Sequence, residues 1–177
     1  KGDRFVGDVY LEILPVKGLV IRSDVSMDLN FAENRLYKES YEFSSFDKAD
    51  KNYISSSLAR SRQFMVENTI TYSNEINDHD FSVMVGQTTQ QDNYYSVSGS
   101  GASILNPTEN NWYLNQATDD RTESSDGASR SRRLSFLGRI HYSYASRYIA
   151  TINFRADASS KFPQHPWGYF PSVALAW

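Results

Sequence analysis

Alternation of apolar and polar side chains over Leu19 to Phe31 constrains this chain more than any other feature. The odd positions are apolar except for Ser23, and the even positions from Arg22 to Asn30 carry charges, hydroxyls or amides. Successive side chains of a β-strand point to opposite faces, so the segment predicts a strand with one apolar and one polar face. At about 3.3 Å per residue the strand would span about 40 Å, which is long for a soluble protein.

Six further segments show the same period of two, the last of them more weakly. They are Phe5 to Leu14, Arg62 to Ser73, Asp80 to Thr89, Arg133 to Tyr144, Tyr148 to Asp157, and Gly168 to Trp177. The sequence therefore predicts an all-β chain of about seven antiparallel strands.

The links between these strands alternate in length. Short links cover Pro15–Gly18, Asn74–His79 and Ala145–Arg147, long ones cover Ala32–Ser61 and Gln90–Arg132, and a medium one covers Ala158–Trp167. An up-and-down sheet gathers its short turns at one end and its long loops at the other. Short periplasmic turns and long external loops are typical of outer-membrane barrels, whereas loops beyond about 15 residues are uncommon in compact soluble domains.

Composition is compatible with membrane strands. Mean hydropathy is −0.56, and no stretch approaches the roughly 20 apolar residues of a spanning helix. A barrel strand keeps mean hydropathy low because only one of its faces meets lipid. Four tyrosines share the apolar positions of their strands and lie near short links, which predicts an aromatic ring at the periplasmic interface: Tyr72, Tyr142, Tyr144 and Tyr148. The alternative is that these rings fill the core of a β-sandwich.

Charged residues at the polar positions are predicted to face a water-filled lumen, because charges against lipid are costly. They are Asp24, Asp28, Glu67, Arg139, Arg155 and Asp157.

Nothing in the sequence predicts catalysis, a metal or a cofactor. The net charge of −3 gives no basic surface for nucleic acid, and the chain has no cysteine. The spacing of His79, His141 and His165 matches no metal or catalytic motif.

Ligand contact is expected from aromatic residues in or beside the long loops. Exposed rings can stack on sugar faces or pack on peptide side chains. The candidates are Tyr94, Tyr95, Trp112, Tyr113 and Trp167. The alternative is that these rings only support the loops that carry them.

Several blocks, in this order along the chain, resemble the SusC/RagA family of TonB-linked outer-membrane proteins. The blocks are Gly7–Ile13 with Pro15–Leu19, Asn68–Tyr72 with His79–Asp80, Leu137–Tyr144, Arg147–Tyr148, Phe154–Phe162, and Trp167–Trp177. Ala158 and Lys161 depart from the glycine and arginine that the family usually shows there.

The resemblance implies a 22-stranded barrel with an N-terminal plug. It also implies import of glycans or oligopeptides, energy passed from the inner membrane by TonB, and a SusD-like surface lipoprotein as partner. The chain shows no plug and no TonB box, and about seven strands are too few for such a barrel. Residues 1–177 are therefore expected to be a mid-barrel part of one receptor barrel in a Gram-negative outer membrane, with TonB contacted by regions outside this chain.

Two alternatives to this interpretation stay open at the level of sequence. One is a soluble or surface β-sandwich that acts as an interaction or adhesin module. The other is a porin that works without TonB.

Overall fold

A computed structural model describes residues 1–105, 107–108, 110, 112–119 and 123–177 of the chain. Seven long strands form one sheet in the sequential order β1-β2-β5-β6-β7-β8-β9, and β3 and β4 form a separate antiparallel pair. The strands are β1 Gly2–Val16, β2 Leu19–Lys38, β3 Tyr41–Glu42, β4 Lys48–Ala49, β5 Tyr53–Ile76, β6 His79–Ala102, β7 Glu123–Tyr144, β8 Tyr148–Ser159 and β9 Trp167–Ala176, with a 3-10 turn at Leu114–Gln116. No helix in these described ranges is long and apolar enough to cross a membrane.

The all-β fold and the number of strands predicted from the sequence are confirmed, because the main sheet has seven strands that follow one another in chain order. The strands, however, are longer than predicted, so the prediction that Gln90 to Arg132 is all loop was wrong. Strand β6 continues to Ala102 and β7 already begins at Glu123. Side-chain alternation fades in this polar stretch, but backbone hydrogen bonds between neighbouring strands do not depend on it.

The chain divides into two compact units, which are described separately below. The turn unit comprises residues 6–28, 63–92 and 130–177. The loop unit comprises residues 1–5, 29–62 and 93–129.

In the turn unit, the two faces of the sheet differ as the alternation predicts. Ile140 pairs with Ile152, and Ile152 in turn pairs with Val173, which places their side chains on one face. Ser135 lies at a polar position of the same strand β7. The apolar residues Ile140 and Ile152 are 50% and 49% exposed, while Ser135 is only 1% exposed. This burial is the reverse of that in a soluble sheet, whose apolar face is covered.

We use "apolar face" for the side of the turn unit that carries the apolar positions and "polar face" for the opposite side. Other apolar-face residues are also exposed, among them Val25, Ile70 and Val83. The β-sandwich that the sequence left open as an alternative would cover these residues with a second sheet, and no such sheet covers them among the described residues.

Tight turns join the strands at one end of the turn unit. The first consists of Lys17 and Gly18, because β1 continues through Pro15 to Val16. Gly18 has a φ of +83°, and a Cβ there would clash with the carbonyl oxygen of Ser73. The backbone N–H of Ser73 donates to the Gly18 carbonyl at 2.8 Å, so this turn is bonded to strand β5.

The loop unit has a small core of its own. Ile54 is fully buried and Ile104 almost so. The side chain of Asn52 binds the backbone of Ile104 twice, donating to its carbonyl at 3.0 Å and accepting from its N–H at 2.7 Å. These two hydrogen bonds connect the start of the loop between β6 and β7 to Asn52, the residue that precedes β5.

Candidate ligand-binding recesses

Charged residues on the polar face of the turn unit are paired with neighbours on that face. Arg22 donates to both carboxylate oxygens of Asp24, at 2.8 and 2.6 Å. Thr88 donates to Glu67 at 2.8 Å. Arg22 and Asp24 share strand β2, whereas the bond between Thr88 and Glu67 joins predicted polar positions of the neighbouring strands β6 and β5.

Two further arginines, Arg133 and Arg155, stand between two recesses of the polar face. The larger has a volume of about 360 Å³ and the smaller about 170 Å³. Besides the two arginines, the larger is lined by Asp157, Ser159, Phe162, His165, Pro166, Trp167, Gly168 and Phe170. The smaller is lined by Met65, Glu67, Thr88, Gln90 and Ser135. The two guanidinium groups thus lie between the aromatic residues of the larger recess and the polar residues of the smaller one.

Sequence reasoning did not single out Arg133, His165 or Phe170 as site residues. Arg133 shares the odd positions of β7 with Ser135, so its place on the polar face could have been read from the alternation. Phe170 could not, because its role depends on the pairing of Arg155 with Phe170 across β8 and β9.

Trp167, a predicted ligand contact, is the first residue of β9 and borders the larger recess. Its ring stacks with that of Phe136 at a centroid distance of 6.0 Å. Phe136 belongs to the apolar face, so part of the Trp167 side chain packs against the sheet. Contact between Trp167 and a ligand stays a prediction.

In the loop unit, Trp112 and Tyr113 line a third recess of about 670 Å³, together with Arg35 and Ser56. The Trp112 ring stacks with Tyr37 at 5.1 Å, and its Nε1 is buried with no acceptor among the described residues. The Arg35 guanidinium lies 4.7 Å from the centre of the Tyr113 ring.

Tyr94 and Tyr95 lie inside strand β6, so their predicted place in a loop was wrong. Tyr94 is half exposed, whereas Tyr95 is partly covered by the guanidinium of Arg60, 4.8 Å from its ring centre. Neither tyrosine lines the recess that contains Trp112. Ligand contact by either residue stays a prediction.

The described part of the chain holds no group of three or more histidine, cysteine, aspartate or glutamate side chains that could bind a metal ion.

Curated relatives of the chain are TonB-dependent receptors. TonB-dependent receptor P26 of Formosa agariphila is 25% identical over 177 residues, which is 99% of this chain and 18% of that receptor. TonB-dependent receptor SusC of Bacteroides thetaiotaomicron is 32% identical over 111 residues, 61% of this chain and 10% of SusC. The chain thus spans less than a fifth of the length of these relatives. No protein-family model matches it.

Solved structures share the fold. The RagAB peptide transporter superposes with a TM-score of 0.84 and 17% identity, over 98% of this chain and 19% of that one. The unliganded ferric citrate transporter FecA superposes with a TM-score of 0.60 and 9% identity, over 98% of this chain and 24% of FecA. In its sequence relatives and its fold, the chain is similar to part of a TonB-dependent receptor of the SusC/RagA type, which confirms the resemblance seen in the sequence.

Proposed function

We propose that residues 1–177 form part of the barrel wall of an outer-membrane TonB-dependent transporter that imports glycans or oligopeptides. The observation that carries this proposal is the exposure of the apolar face while the polar face is partly buried. An exposed apolar sheet is stable where hydrocarbon covers it, and barrel strands present such a face to lipid. The polar face then faces the lumen, where its charges remain in contact with water and substrate.

We propose further that this barrel works with a SusD-like surface lipoprotein and receives energy through TonB, with the plug and TonB-binding region outside residues 1–177. Support comes from the relatives, which include a receptor named SusC, and from the fold shared with the RagAB peptide transporter. Glycans and oligopeptides both remain candidate substrates.

A labelling experiment tests the membrane assignment. The chain has no cysteine, so single cysteines can be introduced at Val25, Ile70, Asp28 and Glu67 of the receptor that contains it. In outer-membrane preparations, Val25→Cys and Ile70→Cys should be modified by a probe dissolved in the lipid and protected from a charged maleimide. Asp28→Cys and Glu67→Cys should show the opposite preference.

The matched positions make the result decisive. Equal labelling of all four cysteines by the charged reagent would contradict the proposal. So would recovery of the protein in the soluble fraction without detergent, which is the behaviour expected of the sandwich alternative.

A further inference from the structure

We propose that Arg133 and Arg155 form a subsite for a carboxylate group of the transported ligand, with an apolar or aromatic group of that ligand against Phe170. The inference rests on the proposed transport function, because it assigns the polar face to the lumen. The proposed subsite restricts the class of transported ligand to molecules that carry a carboxylate beside an apolar group.

The terminal nitrogens of both arginines are weakly engaged. Arg155 uses its Nε for Asp157, at 2.8 and 2.9 Å from the two carboxylate oxygens, while its Nη2 reaches Ser135 only at 3.5 Å. Arg133 donates from Nη1 to Gln90, also at 3.5 Å. Such long bonds contribute little, and a guanidinium has five N–H donors. Donors therefore remain for an incoming acceptor.

A carboxylate is an acceptor that suits two guanidinium groups. It offers two oxygens, accepts paired N–H donors in one plane, and forms charge-assisted bonds stronger than those of a neutral carbonyl. Arg22, on the same face, provides the contrast, because Asp24 already occupies its Nε and Nη2 at 2.8 and 2.6 Å.

The charges around the two recesses orient the ligand. Glu67 lines the smaller recess, where it accepts from the neutral Thr88 hydroxyl, and would repel a carboxylate that approached from that side. Asp157 lines the larger recess, but its charge is already paired with Arg155 Nε at 2.8 and 2.9 Å, so it would repel a second carboxylate less. The larger recess contains Phe162, Phe170 and Pro166. A ligand acid would therefore reach the arginines from the larger recess, whose volume of about 360 Å³ suits one ring-sized group.

Both arginines are accessible to a ligand. The side chain of Arg155 is 51% exposed, although Ser135 beside it is buried. Arg133 is exposed as well.

Paired probes test the inference with the detergent-purified receptor that contains this chain. N-acetylphenylalanine is compared with its amide, and galacturonic acid with its methyl ester, by saturation-transfer NMR. We expect each acid to bind about tenfold more tightly than its neutral partner, the effect of one charge-assisted hydrogen bond. Preference for the first acid over the second indicates a peptide carboxylate, and the reverse indicates an acidic sugar.

Arg133→Gln should remove the preference for acids, and Arg133→Lys should retain part of it because the charge remains. Arg139→Gln is the matched control, since Arg139 lies on the same face and donates to Asn153 at 2.8 Å. The inference is wrong if acid and neutral probes bind alike, if no probe binds, or if Arg139→Gln has the same effect as Arg133→Gln.

Failure of this inference is distinguishable from failure of the proposed function. If the cysteine labelling shows lipid and lumen faces while acids gain nothing over neutral probes, the transport assignment survives and the subsite does not. If acids bind through Arg133 but the labelling pattern is absent, the subsite survives and the membrane assignment does not.

Discussion

The hydroxyl of Ser23 on β2 donates a hydrogen bond of 2.8 Å to the side-chain oxygen of Asn68 on β5. Both residues occupy apolar positions, Ser23 between Ile21 and Val25, and Asn68 two residues before Ile70. Ser23 is the polar exception in the alternation of β2. Asn68 is a second polar residue at an apolar position, and it lies on the neighbouring strand β5. The two polar side chains therefore bind each other.

We predict that Ser23→Ala and Asn68→Ala each lower the unfolding free energy by about 0.6–1.5 kcal/mol, because each leaves a polar group without its partner on the apolar face, which we propose meets lipid. The double variant should lose less than the sum of the two single variants. Denaturant titration of the folded receptor in detergent micelles measures these changes. Ser26→Ala, on the polar face of β2, is the control, and additive losses in the double variant would contradict the prediction.

The turn at Gly18 should not tolerate a side chain. Gly18→Ala would drive its Cβ into the carbonyl oxygen of Ser73, in a backbone with a φ of +83°. We expect a loss of about 1–3 kcal/mol, the usual cost of such strain. The denaturation midpoint measures it. Gly7→Ala is the matched control, because a Cβ at Gly7 meets nothing within 4 Å; equal effects of the two variants would refute the explanation.

A lysine on the apolar face should be far more costly than one on the polar face. Val25 is 51% exposed and lies on the apolar face, while Ser26 is its neighbour on the polar face. We expect Val25→Lys to cost about 2–4 kcal/mol if the position lies near the middle of the bilayer, and Ser26→Lys to cost much less. Assembly yield in the outer membrane and the denaturation midpoint test this. A larger loss for Ser26→Lys would reverse the assignment of the faces.

Trp112 offers a test between ligand contact and loop support. Loss of its stack with Tyr37 in Trp112→Ala should cost about 0.5–1.5 kcal/mol and speed amide exchange in the β6–β7 loop. Tyr94→Ala, which removes a half-exposed ring on β6, should leave that exchange unchanged. If Trp112→Ala reduces uptake without faster exchange, the ring contacts ligand directly; faster exchange without reduced uptake assigns it to loop support.

Local sequence was sufficient for the strands and their faces but not for the recess. The alternation placed Ile140 and Arg139 on opposite sides of β7, because successive side chains of a strand point to opposite faces. It gave no reason to expect Phe170 beside Arg155, since that contact depends on the register of β8 against β9. The strand ends were underestimated, because backbone pairing continues through polar residues such as those around Tyr94 and Tyr95.

The sequence by itself determined that this chain forms long two-faced strands joined by tight turns and longer links. A period of two and residues such as Gly18 act locally, on the direction of each side chain and on the backbone conformation of one turn. Only the tertiary structure decided which polar groups meet: Ser23 with Asn68, and Arg133 and Arg155 around a shared recess. Those encounters depend on strand register, which brings together residues that are far apart in the chain. A shift of one residue in the register would send each side chain of a strand to the other face.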